Sequence, residues 1–268
     1  MRRHVKRLTI VFDRHAVRLH RDRAAPAIAR VQDVLRNAAE HLLDRLDDTT
    51  ARFTQALDVG GRGVVAPLLR ARGIGVVSCD LSARMAATNG GPAVAADEER
   101  LPFGPKTFDL VVANLSLHWV NDLPGALIQL RMALRPGGLF LASLPVLGTL
   151  ATLRTALTEA EATLTGGASP RVSPFPELRD LASLMQRAGF ELPVADADET
   201  VLAYASPFDL VRDLRAAGET NATTLRTRRP MPATVLPMAL ASLAAQPTQA
   251  GGRIPVVLRV GTVTGWAR

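Results

Sequence analysis

Short apolar runs alternate with stretches whose apolar residues recur every three or four positions through the first 145 residues. The runs predict five strands, at residues 53–59, 75–80, 92–96, 108–113 and 139–144. The stretches with the longer spacing predict helices at 24–46, entered through Pro26, and at 64–72 and 124–134. Strands and helices that alternate at this spacing are typical of βαβ units. The first half therefore predicts a doubly wound α/β domain with a parallel sheet.

After residue 145 the pattern changes to longer helices separated by polar loops. Helices are predicted at 149–164, at 177–188, at 207–217 and in a segment rich in alanine and leucine that ends near Ala245. Strand-like stretches lie at 191–204 and 254–266. We expect residues 146–190 and 205–250 to be insertions that roof over the carboxyl edge of the sheet, within one domain spanning 26–268.

Composition identifies a globular chain with a large core. Of the 268 residues, 47% are hydrophobic and 21% are charged, which excludes a disordered protein. No apolar run approaches the ~18 residues needed to cross a bilayer, so we expect no membrane span. The single cysteine, Cys79, excludes an internal disulfide framework and a multi-cysteine zinc site, and we expect no metal.

The net charge of +7 comes entirely from the first 30 residues, which hold nine Lys or Arg and two Asp. The rest of the chain is formally neutral, and aromatic residues, at 4%, provide few surfaces on which bases could stack. Nucleic-acid binding is therefore disfavoured. We expect residues 1–25 to be a basic, solvated arm, whose composition also loosely fits a mitochondrial presequence.

Polar residues follow four of the predicted strands, at the sheet edge where α/β proteins bind ligands. Asp80 lies about 20 residues after the glycine-rich turn, where an acid can bind both hydroxyls of a ribose. Together these residues predict a cofactor that contains adenosine. The shortage of basic partners favours S-adenosylmethionine (SAM) over NAD. The candidate cofactor residues are Asp58, Gly60, Gly61, Arg62, Gly63, Asp80, Leu81, Asp97, Glu98, Asn114 and Leu115.

His118 and Trp119 follow the fourth predicted strand. Packing is the commoner role for such a pair after a buried strand. The alternative is that His118 positions a substrate or takes a proton near neutral pH. We retain His118 and Asn114 as candidate catalytic residues, although methyl transfer needs mainly alignment of the reacting groups and no base.

Two segments, 96–103 and 107–112, resemble the class I SAM-dependent methyltransferases. Segment 116–124, with the sequence Ser-Leu-His-Trp-Val-Asn-Asp-Leu-Pro, narrows the resemblance. It is similar to the methyltransferase-fold assembly factors of respiratory complex I and their alphaproteobacterial relatives. The malonyl-carrier-protein methyltransferases of biotin synthesis are the next most similar group. The resemblance implies a seven-stranded, mostly parallel sheet with one antiparallel strand at 256–264, and SAM binding at this sheet edge.

The resemblance also implies a function. It implies a SAM-dependent methyltransferase that modifies a protein or carrier-bound substrate and is linked to complex I assembly. One alternative is an arginine hydroxylase of a complex I subunit, the activity ascribed to the eukaryotic factors. Another is a catalytically degenerate assembly factor that acts by binding. The expected protein is a monomer with a protein partner, in the cytoplasm of a bacterium or the mitochondrial matrix of a eukaryote.

One departure from the family pattern falls in the glycine-rich turn. The family has Asp-x-Gly-x-Gly-x-Gly, whereas residues 58–63 read Asp-Val-Gly-Gly-Arg-Gly. Either one residue is deleted or Arg62 takes the place of the middle glycine. Arg62 then either pairs with the carboxylate of the ligand or fills the pocket. An Arg62 guanidinium that fills the cleft, leaving no room beside Asp80 and Asp97, would contradict the enzyme interpretation.

Overall fold

Seven strands form a single sheet in the order β3-β2-β1-β4-β5-β7-β6. The structure is a computed structural model that describes residues 10–227, 229–246 and 252–268. Strand β7 is antiparallel to both of its neighbours and the other pairs are parallel, which confirms the predicted sheet. The strands are β1 (Gln55–Val59), β2 (Gly75–Asp80), β3 (Ala93–Ala95), β4 (Phe108–Asn114), β5 (Leu134–Pro145), β6 (Glu191–Tyr204) and β7 (Ile254–Trp266).

Helices cover both faces of the sheet. One buried cluster joins the central strands to the helices Leu123–Ala133 and Leu178–Arg187, and a second joins them to the helices Gln32–Leu43 and Val65–Ala71. The central strand β4 is buried along almost its whole length, as expected for a parallel strand that is covered on both sides. The α-helices in the described residues are α1 (Arg14–Ala24), α2 (Gln32–Leu43), α3 (Val65–Ala71), α4 (Ala83–Ala86), α5 (Leu123–Ala133), α6 (Ala151–Thr165), α7 (Leu178–Arg187), α8 (Pro207–Ala216) and α9 (Val235–Ala244).

Two local predictions differ from the structure. The helix predicted at 24–46 is divided, because a 3-10 segment, Ala25–Val31, precedes α2 and another, Asp44–Leu46, follows it. Pro26, at the start of the first 3-10 segment, has no N–H to donate, which disfavours a continuous α-helix between α1 and this segment. The strand predicted at 139–144 begins earlier, because residues 134–138 also belong to β5, where the pairing with β4 shifts register.

The expectation of a solvated N-terminal arm is wrong for residues 10–25. Residues 14–24 form α1, whose first turn is capped by the Asp13 carboxylate accepting a hydrogen bond from the Ala16 N–H. Arg21 on this helix is only 2% exposed. The preceding segment is also fixed, since Phe12 pairs with Thr223 in an isolated antiparallel bridge. Residues 1–9 of the predicted arm lie outside the described residues.

Three helices of the C-terminal half, here called the roof together with the loops that join them, pack against one another. Helices α6, α8 and α9 share a buried cluster that also includes Val256 of β7. The helices predicted in this half are confirmed to within a few residues. Among the described residues, none of the helices combines the length and hydropathy that a membrane-spanning helix needs.

Candidate functional site

The turn after β1 brings backbone close to neighbouring side chains. Gly60 adopts φ = +67° and donates its N–H to the Cys79 carbonyl at 2.7 Å. A Cβ on Gly60 would lie 2.3 Å from the Cβ of Ser116, and a Cβ on Gly61 would lie 2.0 Å from Oδ2 of Asp58. Both positions therefore require glycine.

The third glycine of the turn anchors it to the segment after α4. Gly63 adopts φ = +78° and donates its N–H to Oδ1 of Asn89 at 2.9 Å. The Asn89 amide returns a hydrogen bond to the Gly61 carbonyl at 3.1 Å. The turn is thus held in one shape by a buried side chain that sequence analysis did not single out.

Asp58 is fully buried at the end of β1. Its Oδ2 accepts a hydrogen bond from the Ser78 hydroxyl at 3.2 Å. Its Oδ1 has no hydrogen-bond partner in the part of the chain that the structure describes. Burial raises the pKa of Asp58 to about 7. Near neutral pH this carboxyl group is therefore present in both its charged and its neutral form, and its Oδ1 can accept a hydrogen bond from a ligand.

Asp80, at the end of β2, forms a buried ion pair with Arg21 of α1. Nη1 of Arg21 lies 2.5 Å from Oδ2 of Asp80, and both side chains are almost completely buried. The other carboxylate oxygen accepts the Ser82 N–H at 2.7 Å. Burial raises the pKa of Asp80, the charge of Arg21 opposes that rise, and the charge of Glu98 adds to it. The carboxylate predicted to bind ribose is therefore held by an arginine.

The acids after β3 are held by the same helix. Nη2 of Arg14 lies 2.6 Å from Oδ1 of Asp97 and also pairs with the buried carboxylate of Glu98. Nη1 of Arg14 donates to the Trp119 carbonyl at 3.1 Å. Leu81, the remaining candidate of this group, packs against the aromatic cluster beneath α1. Helix α1 thus covers both acidic positions that the sequence assigned to the adenosine.

Arg62 is buried but points to the roof and not to Asp80. Its Nη1 donates to Oε1 of Glu219 at 3.1 Å, and its Nη2 donates to the carbonyl of Leu115. The guanidinium that lies against Asp80 is therefore that of Arg21, whereas the sequence suggested Arg62.

Glu219 gathers three donors at the base of the roof. Its Oε2 accepts the Trp119 Nε1–H at 2.9 Å and lies 2.8 Å from Nε2 of His118. Although burial alone would raise it, the neighbouring His118, Arg62 and Arg21 lower the pKa of Glu219 to about 2. Because Glu219 is a carboxylate, Nε2 of His118 is the nitrogen that carries hydrogen. Nδ1 of His118 is buried without a partner among the described residues.

Asn114 has a structural role that sequence analysis did not foresee. Its Nδ2 donates to the Leu35 carbonyl at 2.9 Å, and its Oδ1 accepts the Ser143 hydroxyl at 2.8 Å. The amide therefore joins β4 to α2 and β5. The next residue, Leu115, adopts φ = +49° and turns the chain toward His118. We do not carry Asn114 forward as a catalytic residue.

A cavity of about 350 Å³ lies between this network and the roof. Arg62, Leu115, His118 and Glu219 line part of it, and leucines of α6, α8 and β6 line another part. Neither Gly60 nor Asp80 lines this cavity. The sheet edge therefore has two regions. One is a group of acids held beneath α1 (Asp58, Asp80, Asp97 and Glu98), here called the acidic cleft, and the other is the apolar cavity beneath the roof. Arg62 lies on the turn that follows Asp58 and lines the cavity.

Sequence analysis placed the acids at this edge but missed their partners. Sequence analysis counts Arg14 and Arg21 as solvated charges. It places Glu219 in a roofing loop that could contact a substrate, but nothing in the spacing demands that role. One available signal was the seven-residue interval between Arg14 and Arg21, two helical turns, which places both on one face of a helix. No comparable signal links Glu219 to His118, because 100 residues separate them in the sequence.

Comparisons with known proteins agree with this architecture. The family model "Methyltransferase domain" matches residues 30–193. The chain is 36% identical to arginine-hydroxylase NDUFAF5 of Rattus norvegicus, covering 96% of this chain and 77% of that protein. It is 32% identical to a malonyl-[acyl-carrier protein] O-methyltransferase of Halorhodospira halophila, covering 95% and 88%.

A solved structure shows the same fold. The SAM-dependent methyltransferase of Thermotoga maritima aligns with a TM-score of 0.54 and 16% identity, over 94% of this chain and all of that one. The resemblance drawn from residues 96–124 is confirmed by these matches. The chain belongs to the methyltransferase family that includes the NDUFAF5 arginine hydroxylases and the malonyl-[acyl-carrier protein] O-methyltransferases.

Proposed function

We propose that this protein is an enzyme that binds SAM in the acidic cleft and modifies a protein or carrier-bound substrate beneath the roof. The observation that carries the proposal is the convergence of Asp58, Asp80 and Glu98 beside a turn that requires glycine. These groups lie at the carboxyl edge of a doubly wound sheet, where such folds bind their ligands.

The residues present fit SAM in their chemistry. Oδ1 of Asp58, which has no hydrogen-bond partner among the residues described, offers a buried acceptor for the ammonium group of the ligand. Asp80 offers a carboxylate for ribose hydroxyls. Because Gly60 and Gly61 carry no side chains, a ligand can approach the backbone of the turn. When bound, SAM supplies a methyl group activated by a positively charged sulfur. Binding requires Arg21 to move from Asp80, since one carboxylate oxygen is now held by its guanidinium.

His118 and Glu219 are the groups proposed to act on the substrate. The hydrogen bond to Glu219 fixes the ring of His118, and Nδ1 is left as an acceptor with no other partner among the described residues. An imidazole held in this way can take a proton from a hydroxyl or amine. Glu219 acts through His118 and is therefore a positioning residue.

Arginine hydroxylation is a second candidate reaction. It is favoured by the 36% identity to a protein named arginine-hydroxylase NDUFAF5 over almost the whole chain. Because of this similarity, we also propose that the protein acts in complex I assembly and that its substrate is a complex I subunit. Mass spectrometry of the modified substrate distinguishes the two reactions by the mass that is added.

A role in assembly without catalysis is the third candidate, favoured by the ion pair that holds Asp80. A deletion strain complemented by a stably folded Asp80→Ala, Asp97→Ala double variant would support it. Failure of that variant to complement would support the enzyme.

Isothermal titration with SAM and S-adenosylhomocysteine tests the cofactor directly. We expect both to bind the wild-type chain and neither to bind Asp80→Ala with comparable affinity. The matched control is Asp33→Asn on the exposed face of α2, which should bind normally. Absence of binding to the folded wild-type protein would contradict the proposal.

A further inference from the structure

The proposed cofactor site, centred on Asp58 and Asp80, leaves the apolar cavity beneath the roof without an assigned role, because neither residue lines it. The leucines of the cavity come from several different elements, including Leu157 of α6, Leu202 of β6 and Leu210 of α8. Most of the side chains in the buried cluster around it are aliphatic. Its volume, about 350 Å³, is in the range of pockets that enclose small organic ligands.

Three of the polar residues that line the cavity form one connected part of its wall. Arg62, His118 and Glu219 are joined to one another through the Glu219 carboxylate. They adjoin Leu115 in the loop after β4, on the side of the cavity that faces the acidic cleft. A ligand in the cavity would thus have a polar end near the cofactor region and an apolar remainder under the roof.

The acids on the wall already have partners. Glu219 is engaged by Arg62, His118 and Trp119. Asp213 lies 2.5 Å from Nε of Arg30. A cationic side chain entering the cavity would find both carboxylates paired, and its desolvation would not be offset. A neutral chain instead gains by displacing water from the leucine walls.

We propose that the cavity binds an aliphatic chain of the substrate, with the polar end of that chain beside His118 and Arg62. The inference rests on the proposed function, because it assigns the substrate class to the same site. It adds that recognition depends on the length of the apolar chain. It therefore favours a carrier-bound substrate over the arginine side chain of the second candidate reaction.

Calorimetric titration of the full chain with hexanoate, octanoate and decanoate, each below its micelle concentration, tests this without any methyl transfer. We expect affinity to rise about fourfold for each added methylene group until the cavity is filled. Affinity that is independent of chain length would overturn the inference. Equal binding of arginine methyl ester and decanoate would also overturn it.

Two variants of one helix provide a matched pair. Leu157→Trp should fill the cavity and weaken decanoate binding at least tenfold, because Leu157 lines its wall. Leu164→Trp, at an exposed position near the end of α6, should bind decanoate like the wild type. If Leu157→Trp unfolds, Val211→Phe on α8 is used in its place. The assignment would be refuted if a folded variant with Leu157→Trp or Val211→Phe bound decanoate as tightly as the wild type.

A parallel titration with SAM separates the two proposals. If SAM binds and decanoate does not, the inference fails while the proposed cofactor site stands. If decanoate binds with the expected length dependence and SAM does not, the cavity is an aliphatic site and the proposed enzymatic function fails.

Discussion

Glu219 shows how one residue can join the two regions of the site. It accepts hydrogen bonds from Arg62 on the glycine-rich turn and from Trp119 after β4, although it belongs to the roof. A carboxylate with several charged or polar donors stabilises the fold only while it is ionised. The low pKa of Glu219, about 2, therefore has a consequence for acid stability.

We expect Glu219→Gln to lower the free energy of unfolding at pH 7 by roughly 2 kcal/mol, because hydrogen bonds to a charged acceptor are lost. The folded pKa lies below the ordinary value of 4.5, so this stability is present above pH 4.5 and disappears as the pH falls toward 2. Urea unfolding from pH 7 to pH 3 should show wild type and variant converging. Glu159→Gln, at an exposed position of α6, is the control and should change neither value.

Asp58 has the opposite dependence on pH. Because the pKa of Asp58 is raised to about 7, the folded state favours the neutral carboxyl group. The contribution of that neutral form to the free energy of unfolding is lost as the pH rises through 7. We expect Asp58→Asn to stabilise the protein by roughly 2–4 kcal/mol at pH 8.5 and by little at pH 4.5. Thermal unfolding at both pH values measures this. An equal effect at the two values would show that Asp58 does not titrate in this range.

The sequence predicted the acids of the site better than their partners. Asp58 and Asp80 end apolar runs, and in a parallel sheet the ends of such runs meet at one edge. The partners come from elements whose packing depends on long-range contacts. Arg21 is an example, because a basic residue in a polar stretch is typical of a solvated helix and only the folded structure places it on Asp80.

Helix α1 is the element that determines access to the acidic cleft. Arg14 and Arg21 lie on one face and contact the acids, whereas Arg18 between them is exposed. A buried ion pair adds little when intact, but it is costly when one partner is left alone. The helix therefore closes the cleft with contacts that a ligand of Asp80 must replace.

We expect Arg21→Ala to bind SAM at least tenfold more tightly than the wild type, because Asp80 no longer has to be separated from a guanidinium. The same change should lower the free energy of unfolding by about 3 kcal/mol, since Asp80 is left buried without its partner. Isothermal titration and urea unfolding measure the two effects, and Arg18→Ala is the control. Weaker SAM binding by Arg21→Ala would mean that Arg21 contacts the ligand.

At the scale of the whole molecule, the antiparallel strand β7 fixes the C-terminal half onto the sheet. Gly265 of β7 pairs with Phe140 of β5. A Cβ on Gly265 would lie 2.7 Å from Cε of Met185 and 2.9 Å from Cβ of Phe190. Helix α7 and the start of β6 can approach this closely only because no side chain lies between them and β7.

Gly265→Ala should therefore lower the free energy of unfolding by about 1–3 kcal/mol through overpacking. The control is Gly167→Ala in an exposed loop, where a Cβ would contact nothing within 4 Å. Urea unfolding of both variants measures the difference. SAM affinity should be unchanged in both, because neither residue lies at the acidic cleft.

The segment before α1 is bonded to two other parts of the molecule. The N–H groups of Val11 and Phe12 donate to Oδ1 of Asn121, and the N–H of Asp13 donates to the Ala222 carbonyl, all at 2.8 Å. A displacement of α1 that frees Asp80 therefore also pulls on the chain three residues beyond Glu219. We therefore expect SAM and the substrate to bind in a fixed order. Steady-state kinetics should show an ordered sequential mechanism, in which one of them binds only after the other.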